Sequence, residues 1–219
     1  MSENNESAAR RIVRHLLLAL ASCALMLAFV QFLPSPQLMF QISMGTAYGS
    51  LFLFALAMLI GPWNVLRHHA NPRSSYLRRD IGIWAGILAI AHVVAGLQVH
   101  MGGKFWLYFV PAPEEHATLP IRLNPFGLSN YAGLAATLIL ILLLCLSNNA
   151  SMRSLGGKRW KYLQRWIYVA APLIFAHGWL YQLIEKREPG FVAVVTVVLL
   201  VVLGMQVAGY RRVKFGTKP

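Results

Sequence analysis

The chain has 219 residues, 57% of them hydrophobic and 12% charged, with a formal net charge of +13. A soluble domain carries roughly 25% charged residues, so this composition excludes a water-soluble globular fold and predicts an integral membrane protein. The tails and loops are too short to bury a core, which excludes an attached soluble domain as well.

Hydrophobic stretches of about 20 residues mark membrane-crossing helices. Six occur, at 12–33, 42–66, 81–101, 129–147, 162–184 and 191–210. The predicted fold is an all-α, six-helix membrane bundle over 12–210, between tails at 1–11 and 211–219. The first span stops at Pro34-Ser35-Pro36, because proline cannot continue a helix. The second contains Gly45 and Gly49, a small-residue spacing that lets helices approach closely. The longest loop, 102–128, opens on Gly102-Gly103 and contains the aromatic run Phe105–Val110. It reads as an interfacial anchor, with a lid over a cofactor or a docking surface as alternatives. The fifth span contains Pro172, and Trp160, Tyr162, Trp166 and Tyr168 form an aromatic belt at its start. Cys23 and Cys145 fall inside spans, which argues against a disulfide or a cysteine metal site.

The charge distribution sets the topology. Of the basic residues, only Lys104, Arg122, Lys186 and Arg187 lie on one side, beside Glu114, Glu115, Glu185 and Glu188. The rest lie with the two termini, which the positive-inside rule places in the cytoplasm. The basicity is therefore topological, and nucleic acid is not an expected partner. All the acidic residues are expected outside the spans, and His15, His68, His69 and His116 are expected to be solvated in loops or at interfaces.

Two histidines stand apart. His92 lies about 16 Å, and His177 about 22 Å, along parallel spans at 1.5 Å per residue. An ionisable group at membrane depth is costly and marks a site. Two neutral imidazoles at matched height are also the usual way to hold a haem iron on both faces. Gly82, Ala85, Ala89, His92, Gly96 and His100 fall in one helical sector of roughly 80°. Small side chains there suit a flat porphyrin face, and a helix-packing seam is the alternative. His100, about 12 Å outward of His92 on the same helix, is a rival ligand or a contact for a haem propionate. Interhelical hydrogen bonding, a proton relay, and metal or quinone binding are the other readings of the pair.

The segments RRDIGIWAGILAIAH (78–92) and GKRWKYLQRWIYVAAPLIFAH (157–177) resemble the third- and fifth-helix motifs of the ferric reductase-like transmembrane family. The resemblance runs from about Gly45 to Tyr210. Within that family it points to the haem-binding membrane subunits of periplasmic methionine sulfoxide reductase systems. It implies haem b between the third and fifth spans, with His92 and His177 as axial ligands, in a bacterial inner membrane. Many members hold a second, inner haem. The matching positions here are Arg78 and Gln164, neither of them a good ligand, so one haem is expected.

Flavocytochrome members carry nucleotide-binding domains after the sixth helix, whereas this chain ends nine residues after Tyr210. The expected donor is therefore a quinol or a separate flavoprotein. The expected acceptor is a periplasmic redox enzyme, a molybdoenzyme by resemblance. The chain would be the electron-transfer subunit of an oxidoreductase system. Ferric-chelate reduction along the same haem path, or a non-redox scaffold or transport role, are the alternatives.

Overall fold

A computed structural model describes residues 8–33, 35–67, 72–115 and 119–215. The expected positions of His68, His69 and His116 lie outside the described residues. The described chain is all-α: α1 (Ala8–Val30), α2 (Leu38–Leu66), α3 (Pro72–Gly96), α4 (Pro125–Leu146), α5 (Asn149–Gln164), α6 (Ile167–Ile184) and α7 (Pro189–Phe215). Six segments are long and apolar enough to cross a membrane, α5 and α6 counting together as one. Between α3 and α4 lie three short 3-10 turns, at Met101–Gly103, Phe105–Tyr108 and Pro113–Glu115.

α2 is the central helix and packs against α1, α3 and α7, while α4 packs against α6 and α3. Tyr48, Leu51, Phe54 and Met58 of α2 meet Ile81, Ala85 and Leu88 of α3, Phe175 of α6, and Val195, Val198 and Val202 of α7 in one core. Leu16, Leu17 and Leu20 on α1, and Val197 and Leu200 on α7, are exposed instead. An apolar outer face of this kind suits a lipid surround, where burial is no longer the only favourable place for leucine. Gly45 has the packing role its spacing predicts: a Cβ there would stand 2.6 Å from Met26 Cγ, so α1 rests directly on the α2 backbone.

Several boundaries differ from the sequence expectation, and three of them have a clear local reason. α3 stops at Gly96, short of 101. The Tyr108 hydroxyl donates to the Gly96 carbonyl at 2.8 Å and accepts the His100 backbone N–H at 3.0 Å, satisfying groups a longer helix would use. His100 therefore lies beyond the helix and does not continue the His92 face.

The fifth span begins earlier than 162. The Asn148 side chain accepts the Ser151 N–H at 2.7 Å, an N-cap that starts α5 at Asn149. α5 kinks at Gly156 (φ 72°) and gives way to α6 through bonds of the 3-10 type at Arg165 and Trp166. At α4, Asn124 caps by accepting from Gly127 N at 2.9 Å, with Pro125 in the first turn.

The 97–124 connection and the α6–α7 turn lie at one end of the bundle, called here the capped end. The basic end holds the α2–α3 and α4–α5 connections.

Candidate functional site

A cavity of about 440 Å³ opens toward the capped end, lined by the first half of α2, the middle of α4, the ends of α3 and α6 nearest the cap, and Val195 of α7. His92 and His177 both line it, as do Ala89, Gly96 and His100. Gly82 is not among its lining residues, and a Cβ added there would meet nothing within 4 Å. It sits too far toward the basic end, so the small-residue stripe serves the cavity only in its last two turns.

The two imidazoles face each other across the bundle with ring centroids 6.2 Å apart and planes at 63°. His92 Nδ1 lies 2.9 Å from the Ser43 carbonyl oxygen on α2. His177 Nδ1 lies 2.8 Å from the Ser129 carbonyl oxygen on α4. A carbonyl can only accept, so each ring carries its proton on Nδ1 and, when neutral, keeps its lone pair on Nε2. Orientation of a histidine through its other nitrogen is the arrangement metal-ligating imidazoles use.

Ser43 and Ser129 are the residues that sequence reasoning missed. The acceptors are main-chain oxygens, so no side-chain pattern announces them. The Ser43 hydroxyl lies 3.2 Å from His92 Nδ1, and the Ser129 hydroxyl donates to the His177 carbonyl at 3.2 Å.

Close approach fixes the second ring. A Cβ on Gly133 of α4 would stand 2.7 Å from His177 Nδ1, so only glycine leaves the imidazole where it is. On the other side a Cβ on Gly96 would stand 3.2 Å from the Ser43 hydroxyl. Two other polar groups in the lining are satisfied by main chain: Ser50 donates to the Ala85 carbonyl at 2.8 Å and Thr137 to the Gly133 carbonyl at 2.8 Å.

Residues 97–109 of the connection after α3, called here the lid, supply part of the cavity lining. Phe105, Tyr108 and Phe109 line the cavity from above, and Tyr108 is 2% exposed. Burial pushes its hydroxyl above the ordinary tyrosine range. It stays protonated and donates to Gly96. Arg122 holds the lid with two bonds to Glu115, at 2.9 and 2.5 Å, and one to the Leu107 carbonyl at 3.0 Å. Tyr131 adds a bond to the Phe109 carbonyl at 2.6 Å. His100 sits under this lid with its Nε2 3.7 Å from Glu185.

The basic half is built differently. Arg78 is exposed, and the Gln164 amide nitrogen is buried without a hydrogen-bond partner. Asp80, expected outside the spans, lies within Tyr76–Gly96 and is fully buried. Arg14 Nε donates to it at 2.6 Å, and Arg79 stands 3.8 Å away. His15, expected in solvent, packs 3.6 Å from Asp80 and accepts from Trp84 Nε1 at 3.2 Å. A charge inside a span needs partners nearby, and α1 supplies them.

The imidazole pair fits a haem. A ligating imidazole nitrogen stands about 2 Å from a transition metal, with its ring centroid about 1 Å further back, so two trans rings place their centroids roughly 6 Å apart. The 6.2 Å between the ring centroids leaves room for such a centre. Among the described residues no three His, Cys, Asp or Glu side chains cluster. A bare ion would thus have two protein ligands where structural sites use four, whereas a porphyrin brings its own equatorial nitrogens.

No family model matches the chain. Over 123 residues, 56% of its length, it is 36% identical to the magnetosome protein MamZ of Magnetospirillum gryphiswaldense, of which the match covers 17%. It is 37% identical over 75 residues, 34% of each chain, to the heme-binding subunit MsrQ of the protein-methionine-sulfoxide reductase of Ralstonia nicotianae. The chain thus spans under half the length of these relatives, and the same holds for MsrQ of Azospira oryzae, to which it is 39% identical over 125 residues, 57% of this chain and 48% of that one.

Proposed function

We propose that this protein is a haem-carrying membrane subunit of a redox system, similar to MsrQ, which passes electrons one at a time to an acceptor at the capped end. The observation that carries the reading is the paired imidazoles, each held through Nδ1 by a serine carbonyl of a neighbouring helix. His92 and His177 would hold haem b from opposite faces. Bound so, the group supplies a reversible one-electron couple with no open coordination position, which suits electron transfer rather than oxygen chemistry.

The chain's own residues do the rest. Ser43 and Ser129 fix the tautomers, Gly133 leaves room for one ring, and the lid excludes water. The excess of Lys and Arg at the basic end orients that end to the cytoplasm of a bacterial inner membrane, so the lid faces the periplasm. The acceptor would be a methionine sulfoxide reductase on the periplasmic side, in keeping with the MsrQ relatives, which are heme-binding subunits of protein-methionine-sulfoxide reductases. Arg78 and Gln164 make a poor ligand pair for a second haem. Electrons then enter from a quinol within the bilayer more readily than from a cytoplasmic flavoprotein.

Purified from haem-replete cells, the full chain should show a reduced-minus-oxidised haem b spectrum at about one haem per chain, the stoichiometry of one bis-histidine site. A colourless preparation would defeat the reading, and two haems per chain would defeat its single-site form. Co-purification of a periplasmic molybdoenzyme from native membranes would identify the acceptor. Reduction of ferric chelates by the isolated protein would instead favour an external iron substrate.

A further inference from the structure

The cavity lining carries buried polar atoms without partners. It includes Tyr48, Gln182 and Arg187, and the Tyr48 hydroxyl, Gln182 Oε1 and Arg187 Nε are all buried without a hydrogen bond. Arg187 matters most, because its side chain is only 13% exposed and a guanidinium so shielded is costly unless an anion meets it. Its nearest carboxylate is Glu185, with Nη2 to Oε2 at 3.7 Å, too long for a hydrogen bond. The Glu185 Oε1 faces His100 at 3.7 Å. The guanidinium lies over the Phe40 ring, 4.7 Å from its centroid.

The backbone is built to bring Arg187 there. α6 ends with Arg187 N–H bonded to the Gln182 carbonyl at 3.0 Å and Lys186 N–H to the Leu183 carbonyl at 3.2 Å. This is a Schellman cap, whose left-handed position is usually glycine. Here Lys186 occupies it at φ 48°, a strained conformation for a side-chain-bearing residue. The cap folds the chain back so that the next residue, Arg187, lines the cavity.

We infer that Arg187 is the anchor for a carboxylate on the cavity's ligand, which on the haem reading above is a porphyrin propionate. The site then recognises an apolar disc with an acidic edge: imidazoles for the centre, guanidinium for the rim. Glu185 is its internal competitor, holding Arg187 and His100 loosely until the ligand carboxylate displaces it.

The test uses the full chain, produced in haem-deficient cells, purified in detergent and titrated by absorbance with haem or with haem dimethyl ester, whose acidic groups are masked. The wild type should bind haem about tenfold or more tighter than the ester, the scale of a charge-assisted hydrogen bond. Arg187→Gln should lose that preference while still binding the ester as the wild type does, and its midpoint potential should fall with the loss of a nearby cation. Glu185→Gln should keep or raise the preference. Equal binding of haem and ester by the wild type overturns the inference even if no Arg187 variant can be purified, and so does an undiminished preference in Arg187→Gln. Failure of the wild type to take up either compound would instead overturn the haem reading itself.

Discussion

His92 and Asp80 are polar groups within the same helix, about 18 Å apart at 1.5 Å per residue, and the protein treats them in opposite ways. Around Asp80 the basic half gathers Arg14, His15 and Arg79, so its charge is compensated from within the chain although Oδ1 makes no hydrogen bond. Around His92 the capped half satisfies one ring nitrogen through Ser43 and leaves the other for the cavity. His177 repeats that pattern on α6. The difference separates two uses of a polar side chain in a membrane: one neutralised to bind helices together, the other half-satisfied to bind something else. The partnerless Arg187 Nε belongs to the second kind.

Replacing either imidazole should break the contrast most completely. His92→Ala or His177→Ala should abolish the haem b spectrum, whereas His100→Ala, off the helix and beside Glu185, should leave most of it. Loss of the spectrum in His100→Ala alone would move the ligand assignment to the lid.

Next in size is the opposite half. Asp80→Asn removes the carboxylate charge that Arg14, His15 and Arg79 face. Breaking a buried pair in this way costs about 3–5 kcal/mol, so the thermal transition in detergent should fall clearly. The protein that folds should keep its haem spectrum. If the spectrum vanishes while stability holds, the basic half takes part in cofactor binding.

A glycine pair sharpens the boundary between the halves. Gly133→Ala would drive a Cβ into His177 and should weaken haem binding by about ten- to a hundredfold, the range for disturbing a ligand's support. Gly82→Ala, with open space around it, should leave affinity unchanged. Equal effects at the two positions would show that the cavity extends further than its lining indicates.

The smallest effect is expected at the lid. The Arg122 hydrogen bonds beside Glu115 hold its carboxyl below the ordinary carboxylate range. A depressed folded pKa stabilises above the unfolded value, about 4.3 for glutamate, and that contribution is lost as pH falls through the folded one. Acidification into that window should loosen the lid, read as a change in Trp106 fluorescence. Glu115→Gln should show the loosened signal already at neutral pH.

Much of the architecture was legible in the residues. The six apolar runs correspond to the six candidate spans because the length and hydropathy of a crossing helix are local properties. Their ends were less legible. Gly96 ends α3 because of a hydroxyl twelve residues away on Tyr108, and the break between α5 and α6 follows a turn that no proline or apolar boundary announces. The placement of Asp80 and His15 was misjudged for a similar reason. Each looks solvent-facing within its own helix, and only α1 lying against α3 makes them partners.

The sequence by itself determined how many apolar spans form, which residues on them are apolar, the bias of positive charge, and the two histidines at comparable depth. Those are matters of composition and of the 3.6-residue period along one chain segment. Tertiary structure alone decided that the rings stand 6.2 Å apart, which nitrogen of each is left free, that Gly133 makes room for His177, and that Arg187 turns back over the cavity. Each of these depends on the rotation and height of one helix against another. That register is fixed by interlocking side chains and main-chain oxygens across helices, and a single helix's period carries no record of it.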